Sequence, residues 1–133
     1  MMDKPKIAMY WCASCGGCEE ATVDIAERVL DLVSLVDIVF WPVALDFKEA
    51  DVEKLPDGSI TASLINGGVR TSEHEHMAKL LRRKSKIVVA YGACSSWGGI
   101  PQDTSGQDLA RQSAPFCNRR RKDFLYKCCL KDA

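Results

Sequence analysis

Hydrophobic and polar positions along the chain fall into blocks whose period changes. Ile7-Ala8-Met9-Tyr10 is a short apolar run and predicts a first strand. From Glu19 to Val36 the period becomes helical: Ala21, Ile25, Val29, Leu32, Val33 and Val36 recur at steps of three and four, with Asp24, Glu27, Arg28 and Asp31 mostly on the other side. Asp37-Ile38-Val39-Phe40-Trp41 is β-rich and stops at Pro42, a second strand. Residues 47–55 predict a short helix, closed by the turn Pro56-Asp57-Gly58. Residues 60–65 predict a third strand that ends at Asn66-Gly67-Gly68. Ser72 and Glu75 have the spacing of a capping box and open a helix that turns Met77, Leu80 and Leu81 inward and closes on Arg82-Arg83-Lys84. Residues 86–91 predict a fourth strand, followed at once by Gly92-Ala93-Cys94.

Strands alternating with helices predict an α/β fold, a parallel sheet covered by helices on both faces. With right-handed crossovers, the simplest arrangement of the four strands is the order 2-1-3-4. Such sheets bind ligands beyond the carboxyl ends of their strands. Strand one ends at Cys12, Cys15 and Cys18, strand three at the Asn66-Gly67-Gly68 turn, and strand four at Cys94. The sequence therefore sends thiols and glycines from three strands to one edge.

Composition sharpens this picture. The chain has 133 residues, 47% of them hydrophobic and 27% charged, which fits one globular domain. Eighteen basic side chains balance eighteen acidic ones, which argues against a general nucleic-acid binder or a polybasic membrane binder. No apolar run reaches the roughly 18 residues of a membrane span, and no signal-peptide pattern precedes the first strand, so a cytoplasmic location is expected. The character changes after Pro101. Residues 1–101 carry 11 basic and 14 acidic side chains; residues 102–133 carry 7 and 4, with no clean period. The expected division is a domain over 1–101 and an irregular tail over 102–133, truncated or out of frame.

Seven cysteines, an odd number in a chain read as cytosolic, argue against a disulfide framework and for metal ligation or redox chemistry. Cys15-Gly16-Gly17-Cys18 places two thiols three residues apart on a turn whose glycines permit positive φ and let backbone N–H groups face an anion. The helix after it favours thiolates at its start. Cys94, on a loop of small residues, can reach the same edge. An iron–sulfur cluster, a zinc half-site and a dithiol redox pair all use such a pattern, and Cys94 alone could equally be a small buried hydrophobe.

Two stretches carry a resemblance. Ile7-Ala8-Met9-Tyr10-Trp11 leading into Cys15-Gly16-Gly17-Cys18-Glu19-Glu20, and Tyr91-Gly92-Ala93-Cys94-Ser95-Ser96-Trp97-Gly98-Gly99-Ile100-Pro101, resemble the small subunits of [NiFe]-hydrogenases, within the wider family of the 20 kDa subunit of NADH:ubiquinone oxidoreductase. The likeness runs from about Lys6 to Pro101 and is strongest toward the F420-non-reducing, methyl-viologen-reducing type. It implies a flavodoxin-like three-layer fold and a [4Fe–4S] cluster nearest the active metal of a large subunit. Cys15, Cys18 and Cys94 are the implied ligands, and the large (Ni–Fe) subunit and a downstream electron carrier subunit the implied partners. Glu20 matches the family's acidic residue after the CxxC and is implied to face the large subunit, where a plain helix-start carboxylate is the alternative. Cys12 has no ligand role in the pattern. The family's fourth ligand lies in a downstream Pro-Gly-Cys-Pro-Pro-like segment that this chain lacks. Cys117 is the nearest substitute, with Cys128 and Cys129 behind it.

The remaining chemistry-bearing residues have plainer readings. His74 and His76, two apart on a helix, do not share a face and are expected to be solvated or partner-facing. Trp11 and Trp97 flank the two motifs and would shield a cluster, meet a partner or fill the core. Arg119 to Lys122 is expected to be a solvated basic run. Three functions compete: an electron-transfer subunit that carries no substrate site, a thiol–disulfide oxidoreductase or zinc domain built on Cys15 and Cys18, and a nonfunctional fragment.

Overall fold

The computed structural model describes residues 4–99. The expectations for the tail and for Cys117, Cys128 and Cys129 lie outside the described residues. Within them the chain runs β1 (Lys6–Trp11), α1 (Gly17–Val23), α2 (Arg28–Leu35), β2 (Asp37–Phe40), α3 (Glu49–Glu53), β3 (Ile60–Asn66), α4 (Ser72–Lys84), β4 (Ser85–Tyr91) and α5 (Ala93–Trp97). All strand pairs are parallel and the order is β2-β1-β3-β4, as expected from the crossovers.

The main core lies between the sheet and α3 and α4. Ala8, Tyr10 and Cys12, alternate residues at the end of β1, face it together with Phe40, Val52, Ile60, Met77, Leu80 and Leu81. Tyr10 stacks on Phe40 with ring centroids 6.2 Å apart. Leu81 is fully buried, and burial of such a side chain contributes roughly 1.5–3 kcal/mol. Polar groups under α4 are paired: the hydroxyls of Ser63 and Ser85 meet at 2.6 Å, and Lys84 Nζ donates to the Leu55 carbonyl at 2.6 Å and reaches Asp57 Oδ1 at 2.9 Å. Among the described residues no helix is long and apolar enough to cross a membrane.

The helix expected over 19–36 is two helices. Around the break Ala26 takes φ 53°, and i→i−3 bonds from Ala26 to Val23 and from Arg28 to Ile25 replace the α ladder. Val23 and Ile25 are β-branched and flank Asp24, a combination that weakens helix propensity at that point. The expected apolar face is not buried there: α2 has no buried residue, and Val33 of that face is 47% exposed. The helix expected over 47–55 contracts to Glu49–Glu53. The cap of α4 lies one residue earlier than the Ser72 box predicts, because Thr71 supplies the oxygen that accepts the His74 N–H at 3.2 Å.

Candidate functional site

The carboxyl ends of three strands lie level. Trp11 of β1 pairs with Asn66 of β3, and Asn66 pairs with Tyr91 of β4. The residues after each of them therefore open three loops side by side. The first loop is clamped to the second: Cys12 N–H donates to the Asn66 carbonyl at 2.7 Å, and Ala13 and Gly68 exchange N–H···O bonds at 3.0 and 2.9 Å. Gly16, in the middle of the CxxC, takes φ 82° as the cap of α1, the conformation expected of it. With that turn made, Cys18 falls in the first turn of α1.

Cys18 is held from the β4 side. Its backbone carbonyl accepts the Tyr91 hydroxyl at 2.9 Å and the Thr22 hydroxyl at 3.2 Å. Its Sγ packs against Gly92, whose φ is 86°; a Cβ on Gly92 would collide with that sulfur. Cys94 comes two residues later and is buried. Cys94 N and Sγ in turn pack on Gly99, so α5 folds back over its own cysteine. Cys15 is exposed, and Cys12 is buried in the core. Burial pushes the Cys12 thiol up to about 12, with the Glu19 carboxylate adding to the effect, so Cys12 stays a neutral thiol.

Residues 15–129 match the family described as NADH ubiquinone oxidoreductase, 20 Kd subunit. The chain belongs to this family. It is 46% identical over 97 residues to the iron-sulfur subunit of the F420-non-reducing hydrogenase of Archaeoglobus profundus, 72% of this chain and 30% of that protein. To a vhu subunit of the F420-non-reducing hydrogenase of Methanococcus voltae it is 36% identical over 101 residues, 76% of this chain and 33% of that protein. A crystal structure of an NAD+-reducing [NiFe]-hydrogenase in the H2-reduced state superimposes with a TM-score of 0.67 at 29% identity, covering 90% of this chain and 63% of that one. The chain thus spans about a third of the length of the curated relatives it matches.

What can a 20 Kd-family edge of this form hold? Among the described residues no three His, Cys, Asp or Glu side chains stand close enough to hold one metal ion between them. A cluster is a larger object, bridging thiolates several ångströms apart, and it wants N–H donors to its sulfurs. Two observations fit it. Gly92 lets Cys18 Sγ sit against the backbone that leads to Cys94, and the buried Asn66 carboxamide near Gly92 has no hydrogen-bond partner among the described residues. Thiols from the β1–α1 loop and from α5, ringed by glycines, are soft donors suited to iron and sulfide.

Beside the CxxC a cleft of about 490 Å³ opens between Trp11, Cys15, Glu19, Glu20 and Trp41. Glu19 is 2% exposed; its Oε2 accepts the Trp41 indole N–H at 3.1 Å, and burial raises its carboxyl above the usual range. Glu20 is exposed on the first turn of α1. Trp11 is partly exposed and covers Gly16, while Trp97 is largely exposed. The histidines do structural work: His74 meets the Tyr10 ring edge-on at 6.4 Å, and His76 Nε2 meets Glu49 Oε1 at 2.6 Å, joining α4 to α3. Sequence reading put Asn66 at this edge only as a turn residue, gave Glu19 and Tyr91 no role beyond the motifs that contain them, and missed Trp41.

Proposed function

We propose that the chain is the electron-transfer (small) subunit of a [NiFe]-hydrogenase-type oxidoreductase, working in the cytoplasm, and that Cys15, Cys18 and Cys94 bind a [4Fe–4S] cluster. Bound there, the cluster would take up and release single electrons. The chain's own residues seat Cys18 against the backbone that leads to Cys94 and keep Cys12 out of the reaction as a buried, neutral thiol. The observation that carries the reading is the seat of Cys18 Sγ on Gly92. It brings the CxxC loop against the segment that bears Cys94, 76 residues away in sequence. The partners are a large subunit with the nickel–iron site, on the side of the cleft that exposes Cys15 and Glu20, and a downstream electron carrier subunit. The relatives' names support this reading.

The rival uses are a Cys15–Cys18 redox dithiol or a zinc site. Zinc wants its ligands on one ion, and the described side chains offer no such set. Anaerobic purification followed by a visible spectrum and iron and zinc analysis separates the three. A brown protein with about four irons is expected. A colourless protein with one zinc, or a metal-free dithiol after reconstitution with iron and sulfide, overturns the cluster.

A further inference from the structure

Asn66 ends the central strand β3, flanked on both sides by the ends of β1 and β4. It is 1% exposed, and neither its Oδ1 nor its Nδ2 has a hydrogen-bond partner among the described residues. Its backbone is satisfied: the carbonyl accepts the Cys12 N–H. Only the side chain is left over. A carboxamide offers two donors and an acceptor, and native proteins seldom bury one with all of them unused. Asn66 Oδ1 and Cys18 Sγ both lie within 4 Å of the point where a Cβ on Gly92 would stand, so the unused carboxamide and a sulfur of the proposed cluster site flank the same glycine, and a flip of the amide presents Nδ2–H in place of Oδ1.

Resting on the cluster reading, we propose that the Asn66 carboxamide is a tuning donor, its N–H hydrogen-bonding to anionic sulfur of the group bound by Cys15, Cys18 and Cys94. A neutral donor stabilises the more negative, reduced state more than the oxidised one and so raises the reduction potential. It also anchors the group on the sheet side.

The test uses the full chain, reconstituted anaerobically with iron and sulfide in excess thiol and titrated with dithionite under EPR. Asn66→Leu keeps the shape and removes the donor; Asn66→Asp keeps the size and offers only acceptors. Both are expected to weaken the preference for the reduced state about tenfold, a potential about 59 mV more negative for a one-electron couple. Metal-free Asn66→Leu is expected to melt no lower than wild type, because its amide has no bond to lose. Iron lost from both variants, with metal-free melting unchanged, supports the same role. Unchanged potentials in loaded variants overturn the assignment of Asn66 and leave the cluster standing. A metal-free Asn66→Leu that melts well below wild type also overturns it, by revealing a structural partner. A wild-type chain that takes up no iron overturns the cluster itself, and this inference with it.

Discussion

Replacing Gly92 by alanine tests whether the CxxC loop and the Cys94 segment meet as described. Gly92 takes φ 86° and ψ 170°, a region open almost only to glycine, where another residue costs about 1–3 kcal/mol. The new methyl would also collide with Cys18 Sγ and lie 3.3 Å from Cys18 Cβ. Cys18 has little room to retreat, since Tyr91 and Thr22 hold its carbonyl. Overpacking of this kind adds about 1–3 kcal/mol. Gly92→Ala is therefore expected to destabilise the metal-free protein by roughly 2–6 kcal/mol. Gly58→Ala is the control: its φ is 69° and nothing lies within 4 Å of the added Cβ, so only the backbone cost of about 1–2 kcal/mol applies. Cys18→Ala removes the colliding sulfur. In the double variant the steric part should vanish, leaving a coupling of at least about 1 kcal/mol in a double-mutant cycle. Urea unfolding of the metal-free chains measures all four. Gly92→Ala no worse than Gly58→Ala, or a coupling inside the usual additivity error of about 0.5 kcal/mol, would show that Cys18 does not sit on Gly92.

Three further outcomes are expected. Thr71→Ala should cost about 1 kcal/mol by losing the helix cap of α4, whereas Ser72→Ala should stay within about 0.5 kcal/mol in the same unfolding assay; the reverse ranking would restore the Ser72 box. Lys84→Met should cost about 1–3 kcal/mol at pH 7 by stripping the Leu55 carbonyl of its donor. Hydrogen bonding to Lys84 holds Asp57 below the usual carboxylate range, so that contribution is present above the ordinary pKa and lost as pH falls through the lowered one. The gap between wild type and Lys84→Met should narrow in acid, and a gap that is constant down to about pH 2 refutes the pairing. Alkylation of the folded, metal-free protein with peptide mapping should label exposed Cys15 first and spare Cys12, whose thiol is pushed up to about 12. The Cys12 contribution to stability is whole below the unfolded thiol pKa and fades as pH climbs toward 12, so rapid labelling of Cys12 at about pH 8 would contradict its burial.

The sheet was legible because each strand holds a short apolar run, β-branched in part, cut off by proline, glycine or charge. Trp41-Pro42 closes β2 and Asn66-Gly67-Gly68 closes β3. Once four strands alternate with helices, handedness leaves few orders, and the observed one is the simplest. The helices were read less well for a common reason. Periodicity reports which residues could share a face, not whether anything covers that face. Ala21, Ile25, Val29 and Val33 keep the helical step across a break at Asp24 to Glu27, and the sheet buries little of α2 beyond that break. Thr71 and Ser72 both carry hydroxyls, so the pattern could not fix the cap to a single residue.

The candidate site divides along the same line. Cys15, Cys18 and Cys94 draw attention by residue type, because thiols gathered on glycine loops at strand ends are candidates for metal or redox chemistry. Asn66, Glu19, Trp41 and Tyr91 do not, because their roles arise only when strands pair. Asn66 begins a sequence that reads as a turn, and asparagine is an ordinary turn residue. Glu19 opens a helix, where a carboxylate is ordinarily solvated. It is the register Trp11–Asn66–Tyr91 that encloses the first, and the end of β2 carrying Trp41 that covers the second. A signal was nonetheless present. Strand order 2-1-3-4 makes β3 an interior strand, buried on both faces, so a polar residue at its carboxyl end cannot turn to solvent on either side. Such a residue needs a partner, and the place to look for one is beyond the strand ends, where ligands of parallel sheets bind.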